Sequence, residues 1–283
     1  MPDAKGPGVV RAQILLGRAH FSCGSIDGHF GSNLEKTVAA FQAERHLPIT
    51  NSVDDATWAQ LNQDQAPLLT NYTITSDDEA GPFVRVPKDL TKQSSLQFLG
   101  YASPLDELAE RFHASPAVLS ALNPGADFAG AGEQLMVPNV LVLPPGEASR
   151  IEIAKSESSV RAYKADGTLL AFYVATIGSE HDPLPIGTWR ITGVQRNPDF
   201  HYNAALFWDA RNPNATAVIK PGPRNPVGLV WIDLSKPHYG IHGTPDPGLI
   251  GHSYSHGCIR LTNWDGLELA SMVKPGVPVI LKN

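Results

Sequence analysis

The sequence predicts a multidomain α+β protein: a three-helix module, then a βααβ module, then a C-terminal β-sandwich with one short helix. Three observations lead there. The chain has 283 residues, room for two or three domains of roughly 100–150 residues. Apolar residues recur at helical spacing in the first half, while strand-like runs dominate after Pro144-Pro145-Gly146. The 25 glycines and 24 prolines supply the turns that a β-rich part needs.

Residues 1–66 form the first predicted module. An apolar helix covers 9–16. Ser32-Asn33-Leu34-Glu35 has capping-box spacing and opens a second helix, with Leu34, Val38 and Phe41 on one face. A third covers 54–61, with Trp58 and Leu61 on one side. Ile26-Asp27-Gly28-His29-Phe30-Gly31 is a glycine turn between helices. A polar linker is expected over 63–71.

The second module spans 72–142. Ser103-Pro104-Leu105-Asp106 combines a cap, a proline at the first helical position and an acid in the first turn. Leu105, Leu108 and Phe112 lie on one side of that helix. Ser115-Pro116 opens another, stopped by Asn123-Pro124-Gly125, and 134–138 reads as a strand. Tyr101-Ala102-Ser103 takes the place of the first strand.

The third domain spans 147–283. Strands are predicted over 150–153, 168–175, 188–194 and 228–234, with a turn at Ala165-Asp166-Gly167. The one helix, 264–273, is opened by Thr262 and Asp265 and stopped by Pro275-Gly276.

Bulk properties exclude several function classes. Hydrophobic residues make up 42% and charged ones 18%, so the chain is globular. The net charge of −6 without a Lys/Arg cluster argues against nucleic acid. No apolar run reaches the ~18 residues of a membrane span. The start, Met-Pro-Asp-Ala-Lys-Gly-Pro-Gly, lacks the apolar core of a signal peptide.

Chemistry concentrates near the C-terminus. The chain has two cysteines, Cys23 and Cys258. Cys258 lies in Ser255-His256-Gly257-Cys258-Ile259-Arg260-Leu261, one loop after Tyr239-Gly240-Ile241-His242-Gly243. A thiol becomes a nucleophile as thiolate, which needs a base or cation nearby. If 255–261 runs extended, His256, Cys258 and Arg260 share a face, while Ile259 and Leu261 point into a core. The Gly257 and Cys258 amides are candidates for an oxyanion hole. Tyr239–His242 reads as a neighbouring strand that brings His242 over the cysteine. His242 is the candidate base, with the Gly243 carbonyl orienting its other nitrogen. A charged His242 would lower the thiol pKa.

His256 is a second base, a substrate contact or a structural hydrogen bonder. Arg260 pairs with an acid, raises thiolate character or holds a substrate carboxylate. Ser255 and Tyr239 are further substrate-binding candidates. His242, His252, His256 and Cys258 could form a zinc site, but His252 has no fixed spacing to the rest and no Cys-x-x-Cys pair supports it; no metal is expected. A Cys23–Cys258 disulfide would consume the nucleophile, so both thiols are expected to be free.

The composite of His242, the loop and Ser255-His256-Gly257-Cys258 resembles the L,D-transpeptidase catalytic domain of bacterial cell-wall enzymes. The resemblance extends through Pro221-Gly222-Pro223-Arg224-Asn225-Pro226-Val227-Gly228, Thr262-Asn263-Trp264-Asp265 and Val277-Pro278-Val279-Ile280. Ile26-Asp27-Gly28, Ala39-Ala40-Phe41-Gln42 and Thr57-Trp58 resemble a three-helix peptidoglycan-binding domain. Leu108-Ala109-Glu110-Arg111-Phe112, Leu122-Asn123-Pro124 and Leu135-x-Val137-Pro138 resemble LysM, a glycan-binding module, without its usual Gly-Asp-Thr strand.

The resemblance implies a cysteine-dependent acyltransferase with no cofactor. Cys258 would attack the third residue of a peptidoglycan tetrapeptide stem, release D-alanine and pass the acyl group to another stem. The partners implied are stem peptides and glycan, with carbapenems as acylating inhibitors. Periplasm or cell envelope is the implied location, with any export signal missing from this sequence. An L,D-carboxypeptidase with the same site is the alternative, and a non-catalytic wall-binding protein a more distant one. Because the chemical groups all follow Pro145, the earlier modules are expected to be dispensable for chemistry on soluble stems.

Overall fold

The computed structural model describes residues 4–210 and 212–283. The first module contains α1 (Pro7–Arg18), β1 (Phe21–Ser22), α2 (Ser32–Glu44) and α3 (Asp55–Leu61). Leu16, Leu34, Val38 and Phe41 form its core, with Phe21 edge-on to Phe41 at 5.3 Å. Helix α3 begins at Asp54, whose side chain accepts from the Thr57 amide. The capping box expected at Ser32 is not formed. Gly31 is the N-cap, and Ser32 is already the first helical residue.

The second module contains β2 (Leu69–Thr73), α4 (Ser76–Ala80), α5 (Leu90–Gln93), α6 (Pro104–Arg111), α7 (Pro116–Leu122) and β3 (Gln134–Pro138). Ser103 and Ser115 cap α6 and α7 by accepting from the Asp106 and Val118 amides. Two expectations need correction. The stretch 63–71 is not a free linker, because β2 starts at Leu69. The first strand of the module is therefore β2 and not Tyr101–Ser103; β2 pairs antiparallel with β3, Thr70 opposite Val137. Sequence hides β2 because its pattern is mostly exposed and polar, and pairing with β3 supplies the bonds its composition does not advertise.

The remaining strands are β4 (Arg150–Ala154), β5 (Ser159–Tyr163), β6 (Leu169–Val174), β7 (Thr176–Ile177), β8 (Gly187–Arg196), β9 (Phe200–Asn203), β10 (Thr216–Ile219), β11 (Val230–Leu234), β12 (Gly240–His242), β13 (Ile259–Arg260) and β14 (Pro278–Lys282). Helix α8 (Asn263–Met272) precedes β14, and Thr262 caps it by accepting from the Asp265 amide. Among the described residues, ten strands form one sheet in the order β1-β6-β5-β4-β14-β8-β11-β12-β13-β7. Strands β6 and β7 are one residue apart in sequence yet lie far apart in that order. The sheet is thus folded back on itself. The first half of β8 pairs with β14 and the second half with β11, so β8 links the two layers. The two layers expected of a sandwich are one hydrogen-bonded sheet. Ile151, Ile153, Val160, Ile232, Ile241 and Ile259 fill the space between.

The modules interlock. Strand β1 of the first module adds to the sheet edge, parallel to β6, with Phe21 opposite Phe172. Phe172, Val174 and Ile250 pack into the first module's core. Ile26 exchanges backbone hydrogen bonds with His113 and Ser115 of the second module at 2.8 and 2.9 Å. His113 stacks on Trp264 of α8, centroids 5.0 Å apart. These contacts cover a sheet edge that would otherwise present unpaired backbone groups.

Candidate active site

Strands β12 and β13 run parallel, Ile241 opposite Ile259 and His242 opposite Arg260. Ile241 and Ile259 are fully buried in the core. Alternation therefore turns His242 and Arg260 to the other face, the face that opens into the cleft. Cys258 joins that cleft, which measures about 2180 Å³. Its walls come from more than the catalytic domain. Val84, Pro87 and Leu90 of the second module line it, with His201 and Phe207 from the segment around β9.

His242 is 4% exposed. Its Nδ1 donates to the Gly243 carbonyl at 2.7 Å, which leaves Nε2 for chemistry. Trp231, opposite it on β11, stacks on the imidazole with centroids 5.3 Å apart and planes at 16°. Burial drives the imidazole pKa down to about 3, helped by the Arg260 charge and opposed by the Gly243 carbonyl.

Cys258 and Cys23 are both free thiols. The Cys258 sulfur lies 3.7 Å from the His238 carbonyl. Burial raises its pKa above the ordinary value, and the Gly240 amide and Arg260 pull it only part of the way back. Burial thus works against the charged His242 envisaged from sequence, since it disfavours imidazolium and thiolate alike. Sequence spacing cannot register that both groups sit in low dielectric, where the charged forms lose their hydration.

The extended run over 255–261 is also corrected. Only Ile259 and Arg260 are strand, and Gly257 turns the chain with φ +97°. A side chain at 257 would also meet Tyr239 Cε1 at 2.9 Å. The turn breaks the strand alternation between His256 and Cys258, and both line the cleft. His256 Nε2 contacts Asp209 Oδ1 at 2.9 Å and its ring packs edge-on to Phe207. Ser255 sits beneath the turn: its Oγ donates to the Cys258 carbonyl at 2.5 Å and accepts from the Gly178 amide at 2.7 Å.

Arg260 donates from Nη1 to the Tyr254 carbonyl at 3.3 Å. Its Nε is buried without a partner among the described residues. Burial lowers the guanidinium pKa, opposed by Cys258 and Asp246. Tyr239 closes over Gly257, and burial raises its phenol, with Cys258 and Asp182 adding to the effect. His252 lies outside this constellation. Among the described residues no group of three or more His, Cys, Asp or Glu is placed to hold a metal ion.

With this geometry in place, comparison with known proteins decides the family. The profile of the L,D-transpeptidase catalytic domain matches residues 148–281, and that of a putative peptidoglycan-binding domain matches 5–61. A putative L,D-transpeptidase YkuD of Bacillus licheniformis is 32% identical over 177 residues, covering 62% of this chain and 91% of the relative. The chain belongs to the L,D-transpeptidase family. The similarly named Bacillus subtilis protein is 32% identical over 180 residues, 62% of this chain and 92% of its own. The probable L,D-transpeptidase ErfK/SrfK of Escherichia coli is 30% identical over 183 residues, 62% of this chain and 58% of its own. Among solved structures, an L,D-transpeptidase from Mycobacterium smegmatis aligns with 18% identity over 48% of this chain and 59% of its own, TM-score 0.39.

Several residues with a place in this site escape sequence reasoning. Trp231 carries no motif, and only the register of β11 and β12 puts it on His242. Asp209 lies in a long segment without pattern. Asn263 was visible only as part of a downstream run. Its Oδ1 accepts from the Leu229 and Thr244 amides at 3.0 and 3.2 Å and buttresses the loop after His242.

Proposed function

We propose that this chain is a peptidoglycan L,D-transpeptidase in which Cys258 carries the acyl group. The observation that supports this most is His242: Nδ1 is committed to Gly243, and Nε2 is free in the cleft that holds the Cys258 thiol. His242 Nε2 takes the thiol proton as sulfur attacks the carbonyl of the third stem residue. The amides of Gly257 and Cys258 receive the tetrahedral oxyanion. The C–N bond to D-alanine breaks, His242 returns the proton to the leaving nitrogen, and a thioester remains. An amine from a second stem attacks the thioester, His242 takes its proton, and the thiol is restored with a new cross-link.

Arg260 holds a substrate carboxylate through its unpartnered Nε, and Tyr239 walls the donor side above Gly257. Ser255 fixes the turn that presents the nucleophile. His256 and Asp209 form a pair in the cleft wall that would meet a second stem. The chain divides functionally into a wall-binding module over 1–66, a LysM-like glycan-binding module over 72–142 and a catalytic domain over 147–283. Such a protein acts in the periplasm or envelope.

Intact-protein mass spectrometry after incubation with a carbapenem tests the nucleophile. One adduct is expected on the wild type and none on Cys258→Ala; an adduct persisting in the variant would remove Cys258 from the reaction. Product masses on a defined stem tetrapeptide then separate transfer from hydrolysis.

A further inference from the structure

We propose that Glu110, carried by the second module, is a positioning residue for the catalytic histidine. This rests on the role given above to His242. Glu110 sits on α6 and is 6% exposed. A carboxylate so buried is tolerated only when fully paired. Oε2 accepts from Arg224 Nη1 at 2.7 Å. Oε1 accepts from Asn263 Nδ2 at 2.7 Å and from the Tyr101 hydroxyl at 3.2 Å.

The two partners converge on one loop. Asn263 Nδ2 is taken by Glu110 and by the Pro223 carbonyl at 3.2 Å. Its Oδ1 must then face the Leu229 and Thr244 amides, where it accepts from both. A flipped amide would aim N–H at N–H on that side and oxygen at carboxylate on the other. Arg224 Nη1 also donates to the Pro245 carbonyl at 2.7 Å. Thr244 and Pro245, the two residues after Gly243, are thus gripped by groups that both end at Glu110. The Gly243 carbonyl is in turn what holds His242 Nδ1.

Asp106 provides the contrast. It binds the same arginine, through Nη2 at 2.5 Å and Nε at 3.3 Å, and no hydrogen bond joins it to Asn263 among the described residues. If the arginine only glued two modules together, Asp106 and Glu110 would be equivalent. Only Glu110 sets the orientation of the Asn263 amide. The charged or titratable groups facing Glu110 are Arg224 and Tyr101, and those facing His242 are Arg260 and the Cys258 thiol.

Full-length Glu110→Gln, Glu110→Asp and Asp106→Asn test the idea. The readouts are the limiting rate of Cys258 acylation by imipenem, and the His242 ring tautomer by 15N-edited NMR. Glu110→Gln keeps the shape but presents a donor where only donors converge. Glu110→Asp keeps the charge, but its reach is one methylene shorter. Both are expected to lower the limiting rate about tenfold to hundredfold, leave the half-saturating concentration near the wild-type value and erode the single Nδ1–H tautomer. Asp106→Asn is expected to change neither. In a His242→Asn background the Glu110 changes should add no further loss of rate, because they act through that imidazole. Wild-type rate and tautomer in a folded Glu110→Asp would overturn the proposal. So would an equal loss in both backgrounds, which is how general loosening behaves. A wild type that takes no acyl group would overturn the functional reading instead, and the tautomer would still decide the role of Glu110.

Discussion

Replacing His242 by Asn should slow acylation by orders of magnitude and leave the acidity of the thiol almost untouched. Asn retains an N–H for the Gly243 carbonyl, so the loop keeps its anchor. The His242 pKa is held at about 3. At pH 7 that is about four pH units below neutrality, and at ~1.36 kcal/mol each a charge on this ring costs about 5 kcal/mol. Roughly one molecule in ten thousand then carries an imidazolium in the resting site. An imidazolium so disfavoured by burial leaves little positive charge to lower the thiol pKa. Iodoacetamide alkylation of Cys258 followed across pH should therefore show a midpoint above about 8.5, moving by less than about half a unit in His242→Asn. Acylation by imipenem should fall about 10²–10⁴-fold, the usual worth of a positioned base. A wild-type midpoint below about 7 that climbs by a full unit in the variant would refute the reasoning. It would mean that a thiolate–imidazolium pair is formed before substrate arrives.

Further outcomes follow from the same contacts. Gly243→Ala should cost about 1–3 kcal/mol in urea unfolding and roughly a hundredfold in acylation rate. Its backbone is open to alanine, yet the new Cβ would collide with Asn263 Oδ1 and lie 3.2 Å from Cγ, in a side chain hydrogen-bonded on both sides. The pH dependence of stability should separate by variant. His242, lowered to about 3 from 6.5, gives stability that is complete above pH 6.5 and lost as pH falls toward 3. His242→Asn should thus gain about 2 kcal/mol on the wild type between pH 6.5 and 5. Asp265, raised to about 8 from 3.8 by burial, acts with the opposite sign, because stability is lost as pH rises through that interval. Asp265→Asn should gain about 3 kcal/mol on the wild type between pH 5 and 7; parallel curves in urea titrations would contradict both assignments. A fragment starting at Gly146 should lose its cooperative thermal transition, since it bares Phe172 and Val174 and strips Arg224 of Glu110 and Asp106. A fragment that melts cooperatively and is acylated at the full rate would show that the early modules are dispensable.

The sequence by itself determined what is local. Helix starts at Ser103, Ser115 and Thr262 were legible because a cap is chemistry between residues three apart. The alternation of Ile241 and Ile259 with His242 and Cys258 named both the buried face and the reactive one. The family was legible for the same reason, since its motif lies in two short neighbouring runs. Where local rules compete, sequence misled. Ser32 had the spacing of a cap, but Gly31 took the position, and a polar stretch became β2 once β3 was beside it. Tertiary structure alone decided that burial disfavours charge in the site, because hydration is lost when residues of other strands, such as Trp231, cover it. It alone joined Glu110 to Asn263 across 153 positions. No spacing rule reaches that far: a buried carboxylate finds its partners only when separate modules close over it and water can no longer satisfy it.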